Sequence, residues 1–301
     1  MHRINMAWLY AITKYGYPPP LPDVFRTIDD AVRLGFRALE LEVYGESNLR
    51  EFQREKGKIR EEIEARGLKV VNVAGVFREL ISPDEREREK ALSMFRETCE
   101  LADFFGSPMV QTDTFTPPVQ FVGKKPYSES VSFAEAYDVV VPEDFSWVSF
   151  WNSLVNAMKS CSKAAADHGL LFAIEPRVGE TVSNTDAMLS LMREVGEDNF
   201  GAVLDTGHLH AAKELLPLSV EKLGKKIYYV HLSDNDGRDN FHRAPGKGTI
   251  SWDGVFRGLR KFGFSGYVAI DIGGKDVTDL DKEVTEGRLF AERMYEQYLS
   301  Q

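Results

Sequence analysis

The sequence predicts an α/β fold, a single (β/α)8 barrel of the TIM-barrel class spanning residues 1–301, and three observations point to it. Short apolar, β-branched runs recur along the whole chain. Each is followed by a longer amphipathic segment. The runs are near-continuously apolar, as strands of a parallel sheet buried on both faces must be. A doubly wound open sheet is the alternative arrangement of the same elements.

The strand runs, in order, are RINMAW (3–8), RALELEV (37–43), KVVNVAG (69–75), PMVQTD (108–113), LLFAIE (170–175), FGAVLD (200–205), IYYVHL (227–232) and GYVAID (266–271). Between them lie helical patterns with recognisable ends. DVFRTIDDAVRLG follows Pro22 and stops at Gly35, SPDEREREKALSMFRETCELADFFG opens on a Ser-Pro cap and closes at Gly106, and NTDAMLSLMREVG runs from Asn184 to Gly196. SWDGVFRGLRKFG bridges the last two strands, and LDKEVTEGRLFAERMYEQYL forms the final helix. The one irregular interval, 113–147, is long and rich in Pro and aromatics, which suits a lid or an interface arm.

A hydrophobic share of 43% and a charged share of 28% fit a self-folding globular chain. With 37 Lys and Arg against 47 Asp and Glu, the net charge of −10 repels polyanions, so no nucleic-acid partner is expected. Mixed-sign stretches such as REKGKIREEIEARG read as solvated helix faces. The only cysteines, Cys99 and Cys161, fit neither a disulfide framework nor a thiolate zinc site and point to a reducing cytoplasm. No run has the layout of an export leader or the length of a membrane span.

In a parallel barrel, side chains at the C-terminal ends of the strands converge on one mouth. Glu175, Asp205, His231 and Asp271 end four successive strands. Three carboxylates and one imidazole make an oxygen-rich ligand set, suited to Mn²⁺, Mg²⁺ or Co²⁺, with Zn²⁺ also accommodated. Singly, Asp205 reads as a helix cap, His231 as a core histidine and Asp271 as a turn residue; together at neighbouring strand ends they read as a site. His208, in the first turn after Asp205, is placed beside the site as a substrate contact or a support for a ligand, while His210 points elsewhere as a surface or packing residue. After the seventh strand, Asp234, Asp236 and Arg238 could hold a polyol or order His231. His242, a candidate substrate contact, precedes APGKG, which reads either as an ordinary turn or as a loop of adjacent backbone donors, and not as a Walker motif.

AIEP (173–176), LDTGHLH (204–210), VHLSDNDGRDNFHRAPGKGTISW (230–252) and GYVAIDIGG (266–274) together resemble the sugar phosphate isomerase/epimerase superfamily, the xylose isomerase-like barrels that include ketose 3-epimerases. The resemblance covers essentially the whole chain. It implies that Glu175, Asp205 and His231 are metal ligands, with Mn²⁺ first among the ions, and that His208, Arg238 and Glu180 face the substrate. The sequence departs from the superfamily at Asp271, where a Glu is usual; one methylene less shortens the reach by about 1.3–1.5 Å, which a ligand tolerates better than a proton-transfer group does.

These residues imply a metal-dependent epimerase or isomerase of a ketose or related sugar, with Glu175 and Asp271 as paired base and acid on either side of an enediolate. A dehydratase or lyase on a sugar-like or cyclitol substrate uses the same chemistry to expel a β-hydroxyl, and a non-catalytic sugar-binding barrel is the alternative outside enzymology. Trp8, Phe77, Phe115 and Trp252 are candidates to line the pocket. The superfamily's DNA-repair branch fits poorly, because the third and fourth strand ends, NVAGVF and QTDTF, lack histidines. The 113–147 arm and the C-terminal helix offer surfaces for a homodimer or homotetramer.

Overall fold

A computed structural model describes residues 3–125 and 137–300. The strands are β1 Ile4–Met6, β2 Ala38–Tyr44, β3 Lys69–Val76, β4 Met109–Thr112, β5 Gln120–Val122, β6 Asp138–Val140, β7 Leu171–Ile174, β8 Phe200–Asp205, β9 Ile227–Leu232 and β10 Tyr267–Ile270. All but β5 and β6 pair in parallel in one closed barrel, and β1 closes it by pairing with both β2 and β10. That closure, from Ile4 opposite Val268 to Met6 opposite Ile270, excludes the open sheet. Each sequence-predicted strand is present.

The helices are α1 Leu9–Tyr15, α2 Leu21–Arg33, α3 Gly45–Ala65, α4 Glu85–Phe104, α5 Trp147–Ala166, α6 Thr185–Val195, α7 Thr206–Ala211, α8 Leu216–Leu223, α9 Trp252–Lys261 and α10 Leu280–Tyr298. α6 has the ends its sequence signals: the Asn184 side chain accepts the N–H of Ala187, and Gly196 takes the left-handed conformation at φ 68°. α4 differs from its expected Ser-Pro cap. Asp84 is the cap, accepting the N–H of Arg86, while Ser82 Oγ, two residues before it, receives the N–H of Asp84. Among the described residues no helix is long and apolar enough to cross a membrane.

Strand alternation positions the site. Ala7, Ala38, Val71, Met109, Ala173, Val203, Tyr229 and Ala269 form a buried layer across the barrel interior, in which four alanines leave room for the Tyr229 ring. Because every second residue of a strand faces the same side, the next inward positions carry Glu40, Gln111, Glu175, Asp205, His231 and Asp271. The apolar layer is thus a floor, and the polar layer stands on it at the mouth. Outside the barrel, Phe172 packs between Phe95 and Phe200, with ring centroids 5.3 and 5.2 Å away.

Of the expected 113–147 arm, β5 and β6 form an antiparallel pair outside the barrel and α5 begins at Trp147. Residues 126–136 of that arm lie outside the described residues.

Candidate active site

Ligand atoms of Glu175, Asp205 and His231 lie within 4.8 Å of one another, delivered by three adjacent strands. His231 Nδ1 is 3.0 Å from Glu175 Oε2 and 3.9 Å from Asp205 Oδ2. Asp205 also belongs to a second group, with His208 and His242. The LDTGH turn makes this sharing feasible. Asp205 Oδ1 caps α7 by accepting the N–H of His208 at 2.7 Å, which leaves Oδ2 turned to the site. Gly207 is required there, since a Cβ would stand 2.3 Å from Ser233 Oγ.

Asp271 is the member of the expected ligand set that falls outside both groups. It is buried and lines the same cavity, but its Oδ2 is engaged by His242 Nδ1 at 2.8 Å, and the same nitrogen lies 3.0 Å from its carbonyl oxygen. His208 stands where the sequence placed it, its Nε2 3.4 Å from Glu175 Oε1 and its ring 5.1 Å from that of His242.

Charges in this cluster are strongly coupled to burial. Burial drives Asp205 up, reinforced by the neighbouring charge of Glu175, to about 8. Burial also pushes Glu175 up, but the His231 imidazole outweighs it, with Arg177 helping, and the carboxyl is held below its usual range. His231 is disfavoured as a cation by burial, yet the carboxylates of Glu40, Glu175 and Asp271 raise it well above its ordinary value. His242 is raised to about 9, its hydrogen bond to Asp271 overcoming burial, and Asp271 is correspondingly lowered by the two imidazoles against burial. Burial, with Arg177 adding, holds His208 well below its ordinary value, so it is neutral.

The cavity of about 240 Å³ is also lined by Glu40, Glu42, Gln111, Asp113 and Arg177, which were not among the sequence candidates. Their signal was the same two-residue alternation: Glu40 and Glu42 follow Ala38 along β2, Gln111 and Asp113 follow Met109 on and just past β4, and Glu175 and Arg177 follow Ala173 past the end of β7. Arg177 joins this wall together, with Nη1 2.5 Å from Asp113 and 3.4 Å from Glu180, and Nε 4.0 Å from Glu175.

Other expected residues sit elsewhere. Arg238 is exposed and does not line the cavity. Asp236 accepts the N–H of Arg238, a local turn contact. Asp234 is buried and accepts the N–H groups of Asn235, Gly246 and Ile250, which makes APGKG an organised turn around that carboxylate. His210 bonds Thr249 Oγ1 at 2.8 Å, a packing contact. Glu180 borders an adjoining cavity, where its Oε2 accepts the N–H groups of Thr114 and Phe115 at 3.1 and 2.9 Å and holds Phe115 at φ 56°. Of the four aromatic candidates, Trp8 lines the inner cavity and Phe115 the adjoining one. Phe77 lies in the core, and Trp252 packs on Phe290 with ring centroids 5.3 Å apart.

The residues present fit a divalent cation. Asp205 Oδ2 is buried and has no hydrogen-bond partner among the described residues, an arrangement that a cation would relieve. Seven carboxyl groups, those of Glu40, Glu42, Asp113, Glu175, Asp205, Asp271 and Asp276, face a cavity in which Arg177 and Lys275 are the Arg and Lys side chains among the described residues, so a divalent cation that displaces protons from the raised carboxyls is favoured.

The model of the xylose isomerase-like TIM barrel matches residues 28–294. The inosose isomerase of Bacillus subtilis (strain 168) is 27% identical over 151 residues, 47% of this chain and 54% of that protein. The fructoselysine 3-epimerase of Escherichia coli O157:H7 is 22% identical over 151 residues, 49% and 52% of the two chains. The matched stretches span about half the length of these curated relatives. Among solved structures, an L-ribulose 3-epimerase has a TM-score of 0.74 at 16% identity, covering 99% of this chain and 96% of the other. The IOLI protein with a binding zinc atom has a TM-score of 0.71 at 17% identity, covering 99% and 100%. At these identities the structural likeness is one of fold. Matched to the family model over most of its length, the chain belongs to the xylose isomerase-like TIM-barrel family.

Proposed function

We propose that the chain is a divalent-metal-dependent epimerase or isomerase of a ketose or related polyhydroxy carbonyl compound. One observation carries this reading: Glu175 and Asp271, both buried and both held in the charged form, face one cavity from just past the ends of β7 and β10, with Asp205 and His231 on the two strands between. Glu175, Asp205 and His231 would hold the ion, and a bound ion would polarise the substrate carbonyl and its neighbouring hydroxyl, acidifying the C–H between them. Mn²⁺ heads the candidates for this oxygen-rich set, and the zinc in the IOLI protein structure supports a second choice.

Glu175 takes the proton from carbon as general base, its charge supported by Arg177. Asp271 and His242 return a proton from the other side. Asp271 is ionised by itself, but His242, raised to about 9, brings a proton within 2.8 Å of it, so the pair is charged with a proton at neutral pH. Trp8 forms part of the wall that confines the substrate.

The same preloaded pair favours one further reading, a dehydratase, because His242 and Asp271 could protonate a departing β-hydroxyl instead of a carbanion. A relative named inosose dehydratase, from Clostridium botulinum, is 25% identical over 138 residues. Incubation of the Mn²⁺-loaded protein with a panel of ketoses and inososes in D₂O separates the two. Deuterium in an epimer or isomer supports the first reading, and an ultraviolet-absorbing enone the second. Stabilisation by a sugar without exchange or elimination on any substrate would leave a non-catalytic binding barrel.

A further inference from the structure

His231 has two ring nitrogens, and only one faces the proposed ligand group. Nδ1 points to Glu175 and Asp205, whereas Nε2 points away from them, to Glu40 Oε2 at 3.3 Å. Glu40 comes from β2, on the far side of β1 and β10 from His231, and is 5% exposed. Its other contacts all come from donors. Trp8 N–H donates to Oε1 at 2.6 Å; Tyr229 O–H and Asn72 Nδ2 donate to Oε2 at 3.0 and 3.3 Å. Tyr229 is in turn held by Asn5 Nδ2 at 2.5 Å, and Asn72 by Gln111 Oε1 at 2.8 Å. Three converging donors fix the carboxylate and leave it, on the side toward His231, able only to accept.

From this geometry we infer that Glu40 is a positioning residue. It holds the proton of His231 on Nε2 and so keeps the Nδ1 lone pair directed at the ion. The inference rests on the metal-site reading given above and adds to it a residue that is not itself a ligand. A neutral imidazole carries one proton, and the hydrogen bond on one nitrogen decides which nitrogen is left to coordinate. The floor layer serves the same end, since Tyr229 lies two residues before His231 on β9 and ties that strand to Glu40.

Glu40→Gln tests this with little change in volume. Its amide would offer N–H where His231 now finds an acceptor, which favours the tautomer with the proton on Nδ1. Calorimetric titration of the metal-stripped protein with Mn²⁺ is expected to show binding weakened roughly 10- to 100-fold, with the melting temperature of the metal-free variant near that of the parent. With Zn²⁺ bound, nitrogen-15 spectra of the imidazoles report the coordinating nitrogen, and Nδ1 is expected for the parent. Parent-like Mn²⁺ affinity in Glu40→Gln, or coordination through Nε2 in the parent, overturns the role of Glu40. If Glu40→Gln does not fold, Tyr229→Phe carries the test: a weaker Mn²⁺ affinity supports the inference and an unchanged one overturns it. A parent that takes up no divalent ion overturns the metal-site reading itself, and this inference with it.

Discussion

Asp205 Oδ1 accepts the backbone N–H of His208 at 2.7 Å, so one carboxylate oxygen caps α7 while the other is left turned to the site. Capping and metal binding are therefore joint roles of one side chain. Asn serves as a helix cap about as well as Asp, so Asp205→Asn is expected to fold with undiminished metal-free stability and to lose the melting-temperature gain on adding Mn²⁺. Asp205→Ala should lose that gain and also about 1 kcal/mol of stability from the missing cap. Thermal denaturation of both variants with and without Mn²⁺ checks the pair.

Stability should fall as pH rises through the neutral range in the metal-free protein. A group whose pKa is raised on folding binds more protons folded than unfolded, so the stability it lends is lost as pH climbs from its ordinary value to its raised one. Burial lifts Asp205 from 3.8 and Glu42 and Glu180 from 4.5, each to about 8, and His231 is raised in the same sense by its carboxylate neighbours against the opposing effect of burial. Glu175, Asp271 and His208 are held low, so their contributions change below 6.5. Between 6.5 and about 8 the metal-free melting temperature is expected to drop, while the gain on adding Mn²⁺ grows because uptake displaces those protons. A metal-free melting temperature that rises across this interval would contradict the assignment.

Glu180 and Arg238 are expected to behave unlike substrate contacts. Glu180→Ala leaves the N–H groups of Thr114 and Phe115 without their acceptor, which should cost about 1–3 kcal/mol in denaturant unfolding. Arg238→Ala, at an exposed position away from the cavity, should leave both stability and kcat/KM unchanged. A selective rise in KM for either variant would restore it as a binding residue.

The sheet-to-helix packing carries much of the stability. Phe172 is fully buried between Phe95 and Phe200, and Phe172→Ala should cost about 3–5 kcal/mol. Denaturant unfolding followed by circular dichroism reads this directly.

The barrel was legible because its strand and helix periods repeat without interruption, and Glu175, Asp205 and His231 were legible because each ends or nearly ends an apolar run. Glu40 and Glu42 were hidden by lying inside RALELEV, where alternation with Leu39 and Leu41 looks like an ordinary half-buried strand. Only the closed barrel makes the glutamate face the inner one. The role of Asp271 depended on His242, 29 residues earlier on a loop, and no strand-end pattern reports such a contact. Arg238 and Glu180 lie outside the inner cavity for a related reason: polar residues near a mouth also serve turns, as Asp234 and Asp236 do.

Mn²⁺ titration calorimetry on metal-stripped parent protein and on Glu175→Gln tests the metal site most directly. Saturable, stoichiometric binding by the parent that is lost or severely weakened in the variant is expected. Absence of binding by the parent, or equal binding by a folded Glu175→Gln, would contradict a divalent centre built on Glu175, Asp205 and His231.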